Sequence, residues 1–334
     1  MQYKALSLGL IKNHLTNVVK YKIGDEDLLP YFATLYLTLR CNYACTFCDD
    51  GSAKHKYPDL EMDELSTGKF KKLLKILKKS APSIYFTGGE PYLRKDLLEL
   101  CKFSKKIGFK PVSVNTNGLL IGSYPEIMDN VDQLVISLFT LDPKKYAKTI
   151  QKPEKCLEIV KKNIDLARKK KNLMLTINCV VTKDSLEDAE EVMDFCIKKN
   201  VNFAIVPAMV GCYPDKDLFH NKKYQNLINK VISKKKQGKL IFNSYKSLEV
   251  MKNFKKFTCL PLLTPHLYPN GDLFYPCQLL KTKVNLLEIG DYKKAIKEGR
   301  KKFGSVPKCD NRCHLSCYIE PGAMTINPLN LLKL

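Results

Sequence analysis

Three cysteines fall within eight residues, in the run Cys41-Asn42-Tyr43-Ala44-Cys45-Thr46-Phe47-Cys48. Thiolates in this CxxxCxxC spacing, on one tight loop, can ligate three irons of a [4Fe–4S] cube and leave the fourth open. A catalytic cluster requires an open iron, because a small molecule must coordinate there. The competing use of three such thiolates is a structural zinc site that recruits a distant fourth ligand. About forty residues further on, the β-rich run Ser83-Ile84-Tyr85-Phe86-Thr87 ends on Gly88-Gly89-Glu90-Pro91. Paired glycines let a backbone approach closely where a side chain would clash.

A second group, Cys259, Cys277, Cys309, Cys313 and Cys317, lies near the end of the chain, so that eight of the thirteen cysteines are clustered. Disulfides are rare in reducing compartments, and clustered cysteines there point to metal. Four cysteinyl ligands complete a site and five are available, with a zinc ribbon as the alternative to iron–sulfur. The other cysteines read as packing. Cys101, Cys156 and Cys196 sit in helical apolar stripes and Cys179 in a strand, where a thiol is a small core residue. Cys212 and Tyr213 read as loop residues at the mouth of the site, with a proton or hydrogen relay as the sharper reading.

These groups must be positioned by something, and the chain supplies a regular alternation. Strands are expected over 33–39, 83–86, 111–115, 133–138, 173–181 and 201–206, separated by lysine-studded helices. In the first of those helices Phe70, Leu73, Leu74 and Leu77 repeat at i, i+3, i+4, i+7, one apolar stripe. Six strand–helix units in series argue for a parallel sheet with right-handed crossovers, either open and doubly wound or a partial barrel. In both, function gathers at the carboxyl ends of the strands. The cysteine run and the Gly-Gly-Glu run each follow a strand, as does Asn115-Thr116-Asn117-Gly118, and Ser137 ends another. The pattern breaks after a helix near 222–236. Beyond it come a hairpin signal around Asn270-Gly271, whose turn requires positive φ, and a short helix over 291–302. This tail holds too little apolar sequence for its own core, and units of that kind lean on a metal or crosslink.

CxxxCΦC with aromatic Phe47 before the last cysteine, followed by Gly88-Gly89-Glu90 at the tip of the next strand, resembles the signature of the radical S-adenosylmethionine (SAM) superfamily. The resemblance runs from Leu35 to Tyr318. It implies a partial (β/α)6 TIM-like barrel over 31–240, preceded by an amphipathic segment over 1–30 and followed by a small Cys-rich extension over 241–334. It implies that Cys41, Cys45 and Cys48 hold a [4Fe–4S] cluster whose open iron is chelated by SAM, which is cleaved to a 5′-deoxyadenosyl radical. It further implies that backbone around Phe47 contacts the adenine, and that Gly88, Gly89 and Glu90 receive SAM's ammonium. Asn117 and Ser137 match ribose or carboxylate contacts; their plainer reading is turn chemistry. The tail resembles the twitch or SPASM extension that carries an auxiliary [4Fe–4S] cluster, although its closing CxxxCxxxC departs from the usual CxxC. The implied activity is that of an oxidoreductase or maturase acting on an unactivated carbon of a peptide or small molecule. A transferase acting on a lipid or cofactor precursor is the alternative, and a non-catalytic metal-binding protein the third reading. The electron is expected from a flavodoxin or ferredoxin.

The net charge is +22, and almost all of it is lysine: arginine occurs only at Arg40, Arg94, Arg168, Arg300 and Arg312. Readers of nucleic acid lean on arginine for bidentate contacts, so no nucleic-acid partner is expected. A lysine- and asparagine-rich composition instead reflects an A+T-rich genome. No apolar run approaches the roughly 18–20 residues that cross a bilayer, no secretory signal opens the chain, and a cytoplasmic location is expected. The opening segment places Leu8, Ile11, Leu15 and Val18 on one face. That face is expected to cap the barrel bottom, with rest on a membrane surface as the second reading.

Overall fold

The computed structural model of the protein describes residues 7–48, 64–210, 213–306 and 313–327. Helix α1 (Leu8–Lys22) precedes six βα units: β1 (Phe32–Tyr36), α2 (Thr67–Lys78), β2 (Ser83–Thr87), α3 (Leu97–Lys106), β3 (Val112–Thr116), β4 (Gln133–Ser137), α4 (Pro143–Ile150), α5 (Lys155–Arg168), β5 (Met174–Val181), α6 (Leu186–Lys199) and β6 (Asn202–Pro207). A small hairpin, β7 (Met209–Val210) and β8 (Tyr213–Pro214), leads to α7 (Lys222–Lys236) and α8 (Tyr245–Asn253). The tail adds β9 (His266–Leu267), β10 (Asp272–Phe274), β11 (Lys283–Asn285), α9 (Leu286–Ile289), α10 (Tyr292–Phe303) and α11 (Ser316–Ile326). Every strand the alternation calls for is present, with ends shifted by a few residues, but between β3 and β4 the expected helix is replaced by short 3-10 segments, Ile121–Ser123 and Pro125–Asn130.

β1 to β6 are parallel neighbours in chain order, and the tail strands extend the same sheet on the far side of β1, giving β11-β10-β9-β1-β2-β3-β4-β5-β6. Register separates two faces. One carries Ala33 and Leu35, Ile84 and Phe86, Val112 and Val114, Leu134 and Ile136, Ile177 and Cys179, and Phe203 and Ile205, all buried beneath the helices. The other carries Tyr36, Tyr85 and Thr87, Ser113 and Asn115, Ser137, and Thr176 and Asn178, interspersed with Phe32, Val135, Val180, Ala204 and Val206. A doubly wound sheet covers both faces with helices, so both must be apolar. A parallel sheet with one polar face has helices on one side only and curves around a lumen: a partial barrel, and not a closed one, since β11 and β6 end the sheet.

The tail joins the barrel's core. β9 runs parallel to β1 with Thr34 opposite His266, and Leu267, Leu273, Tyr275, Val284 and Leu286 belong to the same continuous cluster of buried side chains as the strands. Part of the stability expected from metal is therefore supplied by pairing at a sheet edge. Gly271 turns the hairpin at φ +88°.

α1 corrects an expectation. It lies at the barrel bottom, as expected, but is docked by its polar side. Asn13 donates to the carbonyls of Pro30 (2.7 Å) and Ser80 (2.9 Å). Asn17 donates to Leu29 O and accepts from Leu29 N. His14 Nδ1 lies 3.0 Å from the Tyr31 hydroxyl, which pairs in turn with Thr325 of α11. Leu8 and Leu15, expected to face the barrel, face outward. Unpaired carbonyls at the strand entries require donors more than the core there requires further apolar surface.

Candidate active site

The site forms where β1, β2, β3 and β4 end. β1 stops at Tyr36, three residues short of the expected end, because the chain turns there to meet β2's tip. Leu37 N donates to Thr87 O (2.9 Å), Gly89 N to Thr38 O (2.8 Å) and Glu90 N to Arg40 O (2.8 Å). This explains the glycines. Gly88 has φ +138° and a Cβ there would stand 2.2 Å from Thr38 O; a Cβ on Gly89 would stand 2.2 Å from Arg40 O. The backbone they approach belongs to the loop that carries Cys41, so the motif docks the second strand directly onto the cysteine loop.

That loop is fastened from three sides. Ala44 N and Thr46 N donate to Ile150 O (3.1 Å) and Thr149 O (3.0 Å) at the end of α4. Phe47 packs edge-on against Phe139 (5.1 Å), which stacks on Tyr146 (5.1 Å), and Tyr146 meets buried Tyr43 edge-on (6.4 Å). Asn117 Nδ2 donates to Asn42 Oδ1 at 2.6 Å. Before the loop, the buried Arg94 guanidinium donates to Leu37 O and Leu65 O and pairs with Asp96 (2.7 Å) and Glu64 (3.3 Å), while Glu64 also pairs with Arg40 (2.9 Å). Burial alone would raise the Glu64 carboxyl, but Arg40, Thr38 and Arg94 outweigh it and hold it below its ordinary value. Sequence reasoning missed this clamp and the aromatic stack, because neither has a fixed spacing from the cysteines.

Glu90 is fully buried. One carboxylate oxygen accepts from Tyr92 N (3.0 Å) and Thr116 Oγ1 (2.8 Å), the other from Asn117 N (2.8 Å). The carboxylate expected near the ammonium accepts three hydrogen bonds from its own chain, one of which ties it to the Asn117 backbone. Burial pushes its pKa up to about 7 against the pull of those donors. A raised folded-state value means Glu90 stabilises most below its unfolded pKa, and that contribution is lost as pH rises through about 7. The Glu90→Gln protein, which cannot ionise there, is expected to gain on the wild type across that window, by on the order of 3 kcal/mol at full extent. Anaerobic thermal melts of both proteins at pH 5 and pH 8 check the sign; a constant difference would remove Glu90's ionisation from the account.

Cys41, Cys45 and Cys48 share the loop: Cys48 N donates to Cys45 O (3.2 Å) and Tyr43 N points to Cys41 Sγ (3.5 Å). Burial raises both the Cys41 and Cys45 thiols, Cys45 to about 12. Metal coordination deprotonates such thiols outright. Among the described residues no ready-made cage of three metal donors stands assembled, so the fit rests on donor chemistry: three soft sulfurs on one clamped loop suit iron–sulfur ligation. Asn117 borders this loop; Ser137 lies across the sheet beside Asn178.

In the tail, Cys259, Cys277 and Cys317 all act on the buried Tyr318 hydroxyl, whose pKa is raised well above its ordinary value by burial first and by these sulfurs next. Tyr318 Oη lies 3.3 Å from His266 Nδ1, and Tyr36 of β1 donates to Gln278, the neighbour of Cys277, at 3.1 Å. Each of these three sulfurs thus lies in the surroundings of Tyr318 at the barrel edge, although among the described residues no three metal donors stand as an assembled group. Cys313 is buried ahead of α11, and Cys309 and Cys212 lie outside the described residues. Cys101, Cys156, Cys179 and Cys196 are core residues, and Tyr213 is an exposed strand residue of the small hairpin.

Residues 35–196 match the family model "Radical SAM superfamily". The chain is 31% identical over 232 residues to a "Probable GTP 3',8-cyclase" of Methanococcus aeolicus, covering 66% of this chain and 71% of that one. A protein of the same name from Sulfurisphaera tokodaii is 29% identical over 171 residues, half of this chain and 52% of its own length. Among solved structures, Streptococcus suis SuiB bound to S-adenosylmethionine has a TM-score of 0.62 at 21% identity, covering 92% of this chain and 76% of that one. The AdoMet-bound anSMEcpe structure also reaches 0.62, at 18% identity, with 89% and 95% covered. At these identities the two structures speak for the fold.

Proposed function

Because the chain belongs to the radical SAM superfamily, an enzyme family that uses a [4Fe–4S] cluster and SAM, we propose that it turns the SAM-derived radical on an uncharged substrate held against the polar inner face of its barrel. When bound at Cys41, Cys45 and Cys48, the cluster supplies the electron that cleaves SAM. The chain's own residues do the rest. The clamp of Arg94, Glu64 and Arg40 fixes the loop, Asn117 presents its amide to SAM from the β3 end, and Ser137 offers a hydroxyl from β4. Backbone around Phe47 meets the adenine, and the Phe139–Tyr146 stack behind it excludes water.

One observation carries the substrate class. The inward strand positions Tyr36, Tyr85, Thr87, Asn115, Ser137 and Asn178 are neutral hydrogen-bonding or aromatic groups. No lysine or arginine stands among the described inward positions of β1 to β6, despite the chain's +22 charge. Recognition of a triphosphate draws on several cations. A second reading, action on GTP, has the names of the curated relatives in its favour. Anaerobic enzyme with SAM, dithionite and fractionated cell extract separates them. The fraction that accelerates 5′-deoxyadenosine formation is expected to pass unretained through an anion exchanger; acceleration by GTP, with GTP consumed, would overturn the neutral-substrate reading.

The tail cysteines Cys259, Cys277 and Cys317 are proposed as ligands of the auxiliary cluster, completed by Cys313 or Cys309, over an extension spanning 241–334. The protein with Cys41, Cys45 and Cys48 replaced by alanine should still carry about four irons per chain, and Cys259→Ala with Cys277→Ala in that background should remove them. Zinc in their place after anaerobic purification would turn the tail into a structural metal site. The reductant is proposed to be an acidic flavodoxin or ferredoxin, drawn by the lysine-rich surface.

A further inference from the structure

α1 is an amphipathic helix mounted the wrong way round for a core element. Its polar side chains Asn13, His14 and Asn17 are buried against the chain segments that enter β1 and β2. Three of its apolar side chains, Leu8, Leu15 and Val19, and the C-cap residue Ile23 are 86%, 60%, 59% and 73% exposed, while Leu10, Ile11 and Val18 are half-buried, Leu10 against Leu28, Tyr31 and Leu263. The spacing of the exposed four by seven, four and four residues keeps them on one face, a stripe of about 20 Å at the helical rise. No helix among the described residues is long and apolar enough to cross a membrane, so an outward stripe of this kind has a surface role or none.

We propose that this stripe docks the protein on an anionic lipid bilayer. Charge selects the partner. α1 contains no carboxylate, Lys12 stands exposed within the stripe between Leu8 and Leu15, and Lys22 stands exposed at its edge. Of the carboxylates just beyond the helix, Asp25 pairs with Lys20 (2.5 Å) and Asp27 with Arg300 (2.8 Å), which also reaches toward Glu26 (3.9 Å). A second copy of the helix would set lysines against lysines. Shape selects a bilayer over a folded acidic protein. Side chains this exposed form a ridge, which needs a soft acceptor, and an interfacial helix sinks its apolar face into the headgroup boundary while flanking lysines meet anionic headgroups. The stripe lies at the bottom of the barrel, away from the strand ends that form the active site. Docking therefore leaves the mouth open to water, and SAM cleavage should be indifferent to it.

The iron-loaded full-length protein, sedimented anaerobically with vesicles of phosphatidylcholine containing about one quarter phosphatidylglycerol, tests this directly. Binding is expected on these vesicles, at least tenfold weaker on phosphatidylcholine alone, and weakened by added salt. Leu15→Glu with Val19→Glu should lower binding at least tenfold while brown absorbance and SAM cleavage stay unchanged. Lys12→Glu with Lys22→Glu, which keeps the apolar stripe, should lose the preference for anionic vesicles. Absence of vesicle binding would overturn the proposal, as would binding that survives both pairs of substitutions. So would a concentration-dependent dimer, or a complex with an acidic reductant protein, that the Leu15/Val19 pair abolishes without any vesicle binding.

Discussion

Alanine at Cys41, Cys45 and Cys48 together is expected to abolish 5′-deoxyadenosine formation from SAM and dithionite. The three sulfurs sit on a loop that the rest of the chain is built to hold: α4 bonds its backbone, Asn117 bonds Asn42, and Gly89 and Glu90 bond Thr38 and Arg40. Those fastenings use backbone and amide groups, and none of them runs through a thiol. The triple substitution should therefore leave the protein folded, and far-ultraviolet circular dichroism should be unchanged. Uncatalysed cleavage provides no background, so the effect is loss to the detection limit. Continued SAM cleavage by the triple variant would remove the cysteine loop from the chemistry.

Gly89→Ala should be among the most damaging single substitutions outside the cysteines. The added methyl would stand 2.2 Å from Arg40 O, 2.5 Å from Arg40 C and 2.7 Å from Leu39 O, all backbone atoms. A flexible side chain could swing away; a carbonyl held in the Glu90 N–H bond cannot. Relief requires the β2 tip and the cysteine loop to separate, at a cost of about 3 kcal/mol, the upper end for overpacking. A displacement of about 1 Å between the cysteine loop and the Asn117 turn can lower a reaction that depends on both by around a hundredfold. The variant should thus melt well below the wild type and cleave SAM about a hundredfold more slowly. Gly238→Ala is the control: it has φ +76° but no atom near its Cβ, so it should cost about 1 kcal/mol and leave SAM cleavage intact.

The pattern of Phe70, Leu73, Leu74 and Leu77, the six β-rich runs and the cysteine spacing are all local quantities. Each is a repeat or an interval along the chain, and each determines its element because helix and strand periods are themselves local. For that reason the barrel units, the core cysteines and the cysteine loop are legible in the sequence. Even the polar lumen is latent there, in the alternation through Tyr85, Thr87, Asn115, Ser137 and Asn178.

Which partner a group meets is not local, and only the tertiary structure decides it. The paired glycines suggest room for a ligand, yet their nearest neighbours are Thr38 and Arg40, brought there by parallel pairing of β1 with β2. The motif sets Glu90 against an ammonium, yet the carboxylate is enclosed by donors from Tyr92, Thr116 and Asn117. Cys259, Cys277 and Cys317, up to 58 residues apart in the chain, all come within electrostatic reach of Tyr318 because β9 joins the edge of β1. The apolar face of α1 is plain from its spacing, yet the helix is rotated so that Leu8 and Leu15 face outward while Ile11 and Val18 are half-buried. Amphipathicity says that a helix has two faces; the carbonyls at the strand entries, which must be hydrogen-bonded once buried, select the one that turns inward.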